Sequence, residues 1–126
     1  MPIPLDKAIL LVDDMPTMRK VLQSILRQMG FTIFLEGKDG VEAMEMLQIR
    51  YESIGLVIVD WNMPNMSGIQ MWRAMKKDEK FKHIKFIMVS SENDKNHIVT
   101  ALKEGVHNYI LKPFEPRTVK KRIESL

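Results

Sequence analysis

Residues 56–68 read "LVIVDWNMPNMSG", four apolar residues running straight into an aspartate. Leu56 to Val59 form a short, β-branched run with no alternation, the pattern of a strand buried on both faces. Asp60 ends that run. Trp61, Asn62, Met63 and Pro64 turn the chain, and Ser67–Gly68 open the next helical stretch. A carboxylate at the end of a buried strand can be a solvated terminus, a metal ligand or a nucleophile, and its neighbours decide which.

Four more short apolar runs share this character: "AILLV" (8–12), "FTIFL" (31–35), "FIMVS" (86–90) and "NYIL" (108–111). The run at 31–35 reads as an edge strand. Helix-period stretches separate them. The clearest places Met18, Val21, Leu22, Ile25, Leu26 and Met29 on one face, with Pro16 in the first turn and Gly30 past the end. A second helix starts at Asp39, with Glu42 three residues on as a capping-box-like partner. A third starts near Ser67 and turns Ile69, Trp72 and Met75 inward. A fourth carries Ile98, Ala101 and Leu102 inward and ends at Gly105. A fifth starts at Glu115–Pro116 and buries Val119 and Ile123. The order is βαβαβαβαβα with short connections, so the expectation is an α/β fold: a doubly wound, five-stranded parallel sheet with helices on both faces.

The chain has 126 residues, enough for one domain spanning 1–126, with 45% apolar residues and no cysteine. Disulfides and thiolate metal sites are excluded. "MPIPLDK" carries no signal-peptide pattern and no apolar run spans a bilayer, so a soluble, cytoplasmic protein without membrane insertion is expected. A net charge of +3 is too mild to imply nucleic acid. The basic group Arg117, Lys120, Lys121 and Arg122 reads as a solvated helix face, and the eleven methionines as core filler. His83, His97 and His107 show no ligand spacing and read as surface or interface residues.

Open parallel sheets bind ligands beyond the carboxyl ends of their strands. This sequence puts Asp13–Asp14, Asp60, Ser90–Ser91 and Lys112–Pro113 there. Polar residues end strands routinely, but three acids together have a cost. Two carboxylates about 4 Å apart repel by roughly 4 kcal/mol at an effective dielectric near 20. A divalent cation bound by oxygens offsets that, and magnesium suits a set with no histidine or cysteine in it. Lys112 adds a point charge for a phosphoryl oxygen or a carboxylate, and Ser90 a hydrogen-bond donor. Together they are equipment for phosphoryl transfer with an aspartate as nucleophile.

Four motifs in order, "VDD" (12–14), "DWNMPNMSG" (60–68), "VSSE" (89–92) and "YILKPF" (109–114), resemble the response-regulator receiver domains across nearly the whole chain. "DWNMPNM" is especially similar to the chemotaxis members. The resemblance implies the flavodoxin-like strand order 2-1-3-4-5 and a (βα)5 chain. It implies that Asp60 is the phospho-acceptor. Asp14, Asp60 and the Asn62 backbone carbonyl would hold Mg2+, with Asp13 acting through a metal-bound water. Lys112 would contact the phosphoryl group, Ser90 would follow it, and Tyr109 would rotate inward as Ser90 moves. Asn62 and Glu92 fall at the positions that tune dephosphorylation.

The implied partners are a histidine kinase as phosphodonor, the flagellar motor switch protein and a phosphatase, with the chain a monomer. The role is a two-component switch that catalyses only its own phosphotransfer and dephosphorylation, in chemotaxis and motor control. A related protein acting as a phosphate sink or binding a non-motor partner is the alternative. Lys38, Met15, Pro16, Ser91 and the basic, short fifth helix depart from the chemotaxis pattern and bear on the partner more than on the chemistry.

Other classes fit less well. A flavodoxin-like cofactor binder needs a hydroxyl-rich loop where this chain has "DDMPTM". No Walker motif is present. An aspartate-based phosphatase would place a second aspartate at position 62. A DNA-binding regulator would need an effector domain.

Overall fold

The structure is a computed structural model that describes residues 3–91 and 93–126. The elements alternate: β1 (Ala8–Val12), α1 (Pro16–Gln28), β2 (Phe34–Gly37), α2 (Gly40–Arg50), β3 (Ile54–Asp60), α3 (Gly68–Lys76), β4 (Lys85–Ser91), α4 (Lys95–Lys103), β5 (Asn108–Lys112) and α5 (Pro116–Glu124). All strand pairs are parallel, in the order β2-β1-β3-β4-β5. That is the expected doubly wound sheet.

Strand residues alternate between two cores because successive side chains point to opposite faces. Leu10, Val12, Val57, Val59, Phe86 and Met88 pack with α2, α3 and α4. Ile9, Leu11, Leu56, Ile58, Ile87, Val89 and Ile110 pack with α1 and α5. The alternation carries past the last apolar residue of each strand. Asp13, Asp60 and Lys112 lie two residues beyond Leu11, Ile58 and Ile110, so all three belong to the α1/α5 face. Ser90 lies two beyond Met88 and belongs to the α3/α4 face.

Three expectations need correction. The apolar run 31–35 is not one strand. Gly30 adopts φ +103°, Gly30 N–H donates to the Arg27 carbonyl and Phe31 N–H to the Leu26 carbonyl, closing α1 with a Schellman motif. Phe31 is buried as the hydrophobic residue of that cap, and β2 starts only at Phe34. Within α1, Val21 faces solvent; Leu22, Ile25 and Leu26 suffice to cover the sheet. In α4 only Ala101 is fully buried, while Leu102 is 45% exposed.

Capping fixes the helix starts beside the strand ends. Ser67 and Gln70 form a reciprocal capping box at α3. Asp39 accepts from Glu42 N–H at 2.8 Å at α2, but the Glu42 carboxylate reaches back to the Lys38 amide rather than that of Asp39.

Candidate functional site

The strand order reverses between β1 and β3, the place where doubly wound sheets form a crevice. Asp13 and Asp14 follow β1, and Asp60 closes β3. One carboxylate oxygen from each lies within 4.8 Å of the others. Asp13 and Asp60 are buried, at 4% and 7% exposure, while Asp14 faces solvent. Lys112, from the far end of β5, reaches both buried acids: Nζ is 3.2 Å from Asp13 Oδ2 and 3.1 Å from Asp60 Oδ2.

Burial pushes the Asp60 carboxyl above its ordinary value, opposed by the Lys112 charge and reinforced by Asp13, while Lys112 and the Asn62 backbone amide hydrogen-bond the carboxylate. Burial works against the Lys112 ammonium, but the Asp60 and Asp13 charges outweigh it and hold its pKa above the usual lysine value. One ammonium therefore serves two carboxylates, and the site keeps excess negative charge. An all-oxygen donor set this compact suits a hard divalent cation. Asp13, Asp14 and Asp60 are the side chains that would hold it.

The loop after Asp60 is held at several points. Trp61 N–H donates to the Val89 carbonyl at 2.9 Å, continuing the β3–β4 ladder by one residue. Gly68 N–H donates to the Trp61 carbonyl at 2.9 Å. A Cβ on Gly68 would lie 2.7 Å from the Asp60 carbonyl oxygen and 2.7 Å from Met88 Sδ, so only glycine lets α3 start this close. Asn65 takes φ 69° and its amide donates to Asp39 Oδ2 at 2.8 Å, tying the loop to the cap of α2.

The structure brings Asp13, Asp14, Asp60 and Lys112 together. Asn62 is exposed at the loop, with its amide toward Asp60. Ser90 is buried at the end of β4. Tyr109 is half-buried on β5, its hydroxyl accepting from Arg122 Nη2 at 3.1 Å and its ring 4.2 Å from the Arg122 guanidinium carbon. Glu92 lies outside the described residues.

Two residues that sequence reasoning missed border this set. Arg19, only 14% exposed in its side chain, donates from Nε to Glu36 at 3.0 Å and from Nη1 to the Asp13 carbonyl. It fixes the backbone from which Asp13 and Asp14 project. His97, read from the sequence only as a surface or interface residue, lies beside the end of β4: Nδ1 is 3.4 Å from Ser90 Oγ and the ring stacks on Trp61.

A buried strand-end carboxylate, two further acids across the crevice and a lysine bridging the two buried acids define a receiver site. The chain belongs to the response regulator receiver domain family, whose pattern matches residues 9–124. It is 41% identical over 116 residues to the chemotaxis protein CheY1 of Helicobacter pylori, covering 92% of this chain and 93% of that one. It is 40% identical over 118 residues to the chemotaxis protein CheY of Pseudomonas aeruginosa, covering 94% of each. Among solved structures, the CheX–CheY–BeF3–Mg complex from Borrelia burgdorferi matches with a TM-score of 0.84 at 31% identity, over 94% of this chain and 87% of that one. Vibrio cholerae chemotaxis protein CheY4 matches with a TM-score of 0.81 at 25% identity, over 94% and 96%. No helix among the described residues is long and apolar enough to cross a membrane.

Proposed function

We infer that this chain accepts a phosphoryl group from a histidine kinase on Asp60 and changes its protein binding as a result. The observation that carries the reading is the Asp60 carboxylate itself: buried at the end of β3, bridged by Lys112 and within ligand reach of Asp13 and Asp14. An Asp60 oxygen attacks phosphorus; the O–P bond forms as the donor's P–N bond breaks, and the electron pair leaves with the donor imidazole. Lys112 meets the charge that arrives on the phosphoryl oxygens. Asp14, Asp60 and the Asn62 carbonyl, with Asp13 through a water, would hold magnesium, which would supply charge neutralisation and open positions for phosphoryl oxygens.

Ser90 is the hydroxyl that follows the phosphoryl group, Tyr109 the ring that moves with it, and Asn62 and Glu92 set the lifetime of the phosphate. The role is a switch with no foreign substrate. Relatives named for chemotaxis support motor control as its setting, with the flagellar motor switch protein as target. The Borrelia complex with CheX supports a separate phosphatase as a further partner.

Incubation with acetyl phosphate and magnesium, read by intact mass, tests the acceptor. The expected result is one added phosphoryl group on the wild type and none on Asp60→Asn. An equal gain by that variant refutes the assignment.

A further inference from the structure

Ser90 is 1% exposed, and a hydroxyl that deep requires a partner. It has an imidazole: His97 Nδ1 lies 3.4 Å from Ser90 Oγ. His97 belongs to α4, near its start, and its ring lies flat on the Trp61 indole, with centroids 3.9 Å apart and planes 5° from parallel. The stack fixes the ring by its face, so the ring meets the strand end with its edge, and that edge carries Nδ1. Asp94 Oδ2 approaches the same nitrogen at 3.8 Å from the solvent side. Whichever partner supplies the proton, the contact commits the Ser90 hydroxyl to the α4 side of the sheet. Asp60, by strand alternation, belongs to the other side.

We propose that His97 is a positioning residue for Ser90: it holds the hydroxyl in the resting arrangement and releases it when the hydroxyl turns to a phosphoryl oxygen on Asp60. The inference rests on the reading of Asp60 as phospho-acceptor. It gives the site a direct line to α4. Breaking the Ser90 contact leaves the His97 ring held by the Trp61 stack and the 3.8 Å approach of Asp94, at the start of a helix whose N-cap Asp94 makes no side-chain cap bond and which buries only Ala101. The same contact opposes phosphorylation, because its loss must be offset by the new bond to phosphate.

Calorimetric titration with beryllofluoride and magnesium tests this in five proteins: wild type, Asp60→Asn, His97→Phe, Ser90→Ala and the His97→Phe/Ser90→Ala pair. His97→Phe keeps an aromatic ring for the Trp61 stack and deletes Nδ1. It is expected to bind about threefold more tightly than wild type, the low end of what one net hydrogen bond contributes, as suits a 3.4 Å contact. In the Ser90→Ala background the same substitution should change nothing. Unchanged or weaker binding by His97→Phe overturns the proposal. So does an equal gain in both backgrounds, which would place the effect in the Trp61 stack. Wild type that does not bind, or Asp60→Asn that does, instead refutes the phospho-acceptor reading beneath it. A second measurement needs no His97 variant: the Nδ1 nitrogen resonance of wild-type His97 should move when beryllofluoride is added, and a resonance that stays in place overturns the proposal.

Discussion

Replacing Lys112 with methionine keeps the buried stem and removes the ammonium that bridges Asp13 and Asp60. At 3.2 and 3.1 Å, each charge pair is worth about 5 kcal/mol at an effective dielectric of 20. Losing both would cost about 10 kcal/mol, but the protein has a cheaper course. One carboxyl takes up a proton. For an aspartate of ordinary value 3.8, that costs about 1.4 kcal/mol per pH unit, or about 4 kcal/mol at pH 7. Asp60 already sits above that value, so the expected loss at pH 7 lies below about 4 kcal/mol. The sign follows from proton counts. The variant's native state binds a proton that wild type and the unfolded chain release, so its deficit grows as pH rises. Urea unfolding in EDTA should show the deficit shrinking by about 1.4 kcal/mol per unit on acidification from pH 7 to pH 5. A deficit that stays constant from pH 7 to pH 5 refutes the reasoning. It would mean that Lys112 stabilises by packing and not by charge.

Gly68→Ala sets a methyl group 2.7 Å from the Asp60 carbonyl oxygen and should cost about 1–3 kcal/mol while displacing the Trp61 loop. Unchanged urea stability would show that α3 can retreat freely. Arg122→Ala removes a hydrogen bond and a cation–π contact from Tyr109 and should cost about 1 kcal/mol. It should also shift the Tyr109 ring resonances; identical spectra would show that the outward ring position does not depend on Arg122.

The fold was legible because its strands are short and apolar, and because Gly30 and Gly105 stop two helices while Pro16, Asp39, Ser67 and Pro116 start others. Asp13, Asp14, Asp60 and Lys112 could be placed at one edge since strand ends in a parallel sheet converge. What the sequence concealed has a common physical form. Phe31 resembled strand because cap hydrophobics and strand hydrophobics are the same residues; only the φ of Gly30 separates them. Arg19 meets Glu36 and Asn65 meets Asp39 across separations of 17 and 26 residues, with no periodicity to signal it. His97 lies only seven residues from Ser90, yet the contact depends on how α4 leans on Trp61. Leu102 and Val99 stay exposed because α4 meets the core through Ala101, a narrower apolar stripe than its sequence offers.

The acidic set hangs from β1 and β3, both buried along their whole length, whereas α4 rests on little more than Ala101. The carboxylates thus project from fully buried strands, and α4 has the thinnest hold on the core of the five helices. Exposed positions of α4 can therefore be substituted at little cost to folding, His97 being the one whose change is expected to reach Asp60. On the reading proposed for Asp60, such substitutions would let one acceptor site serve different partners through a helix that barely touches the core.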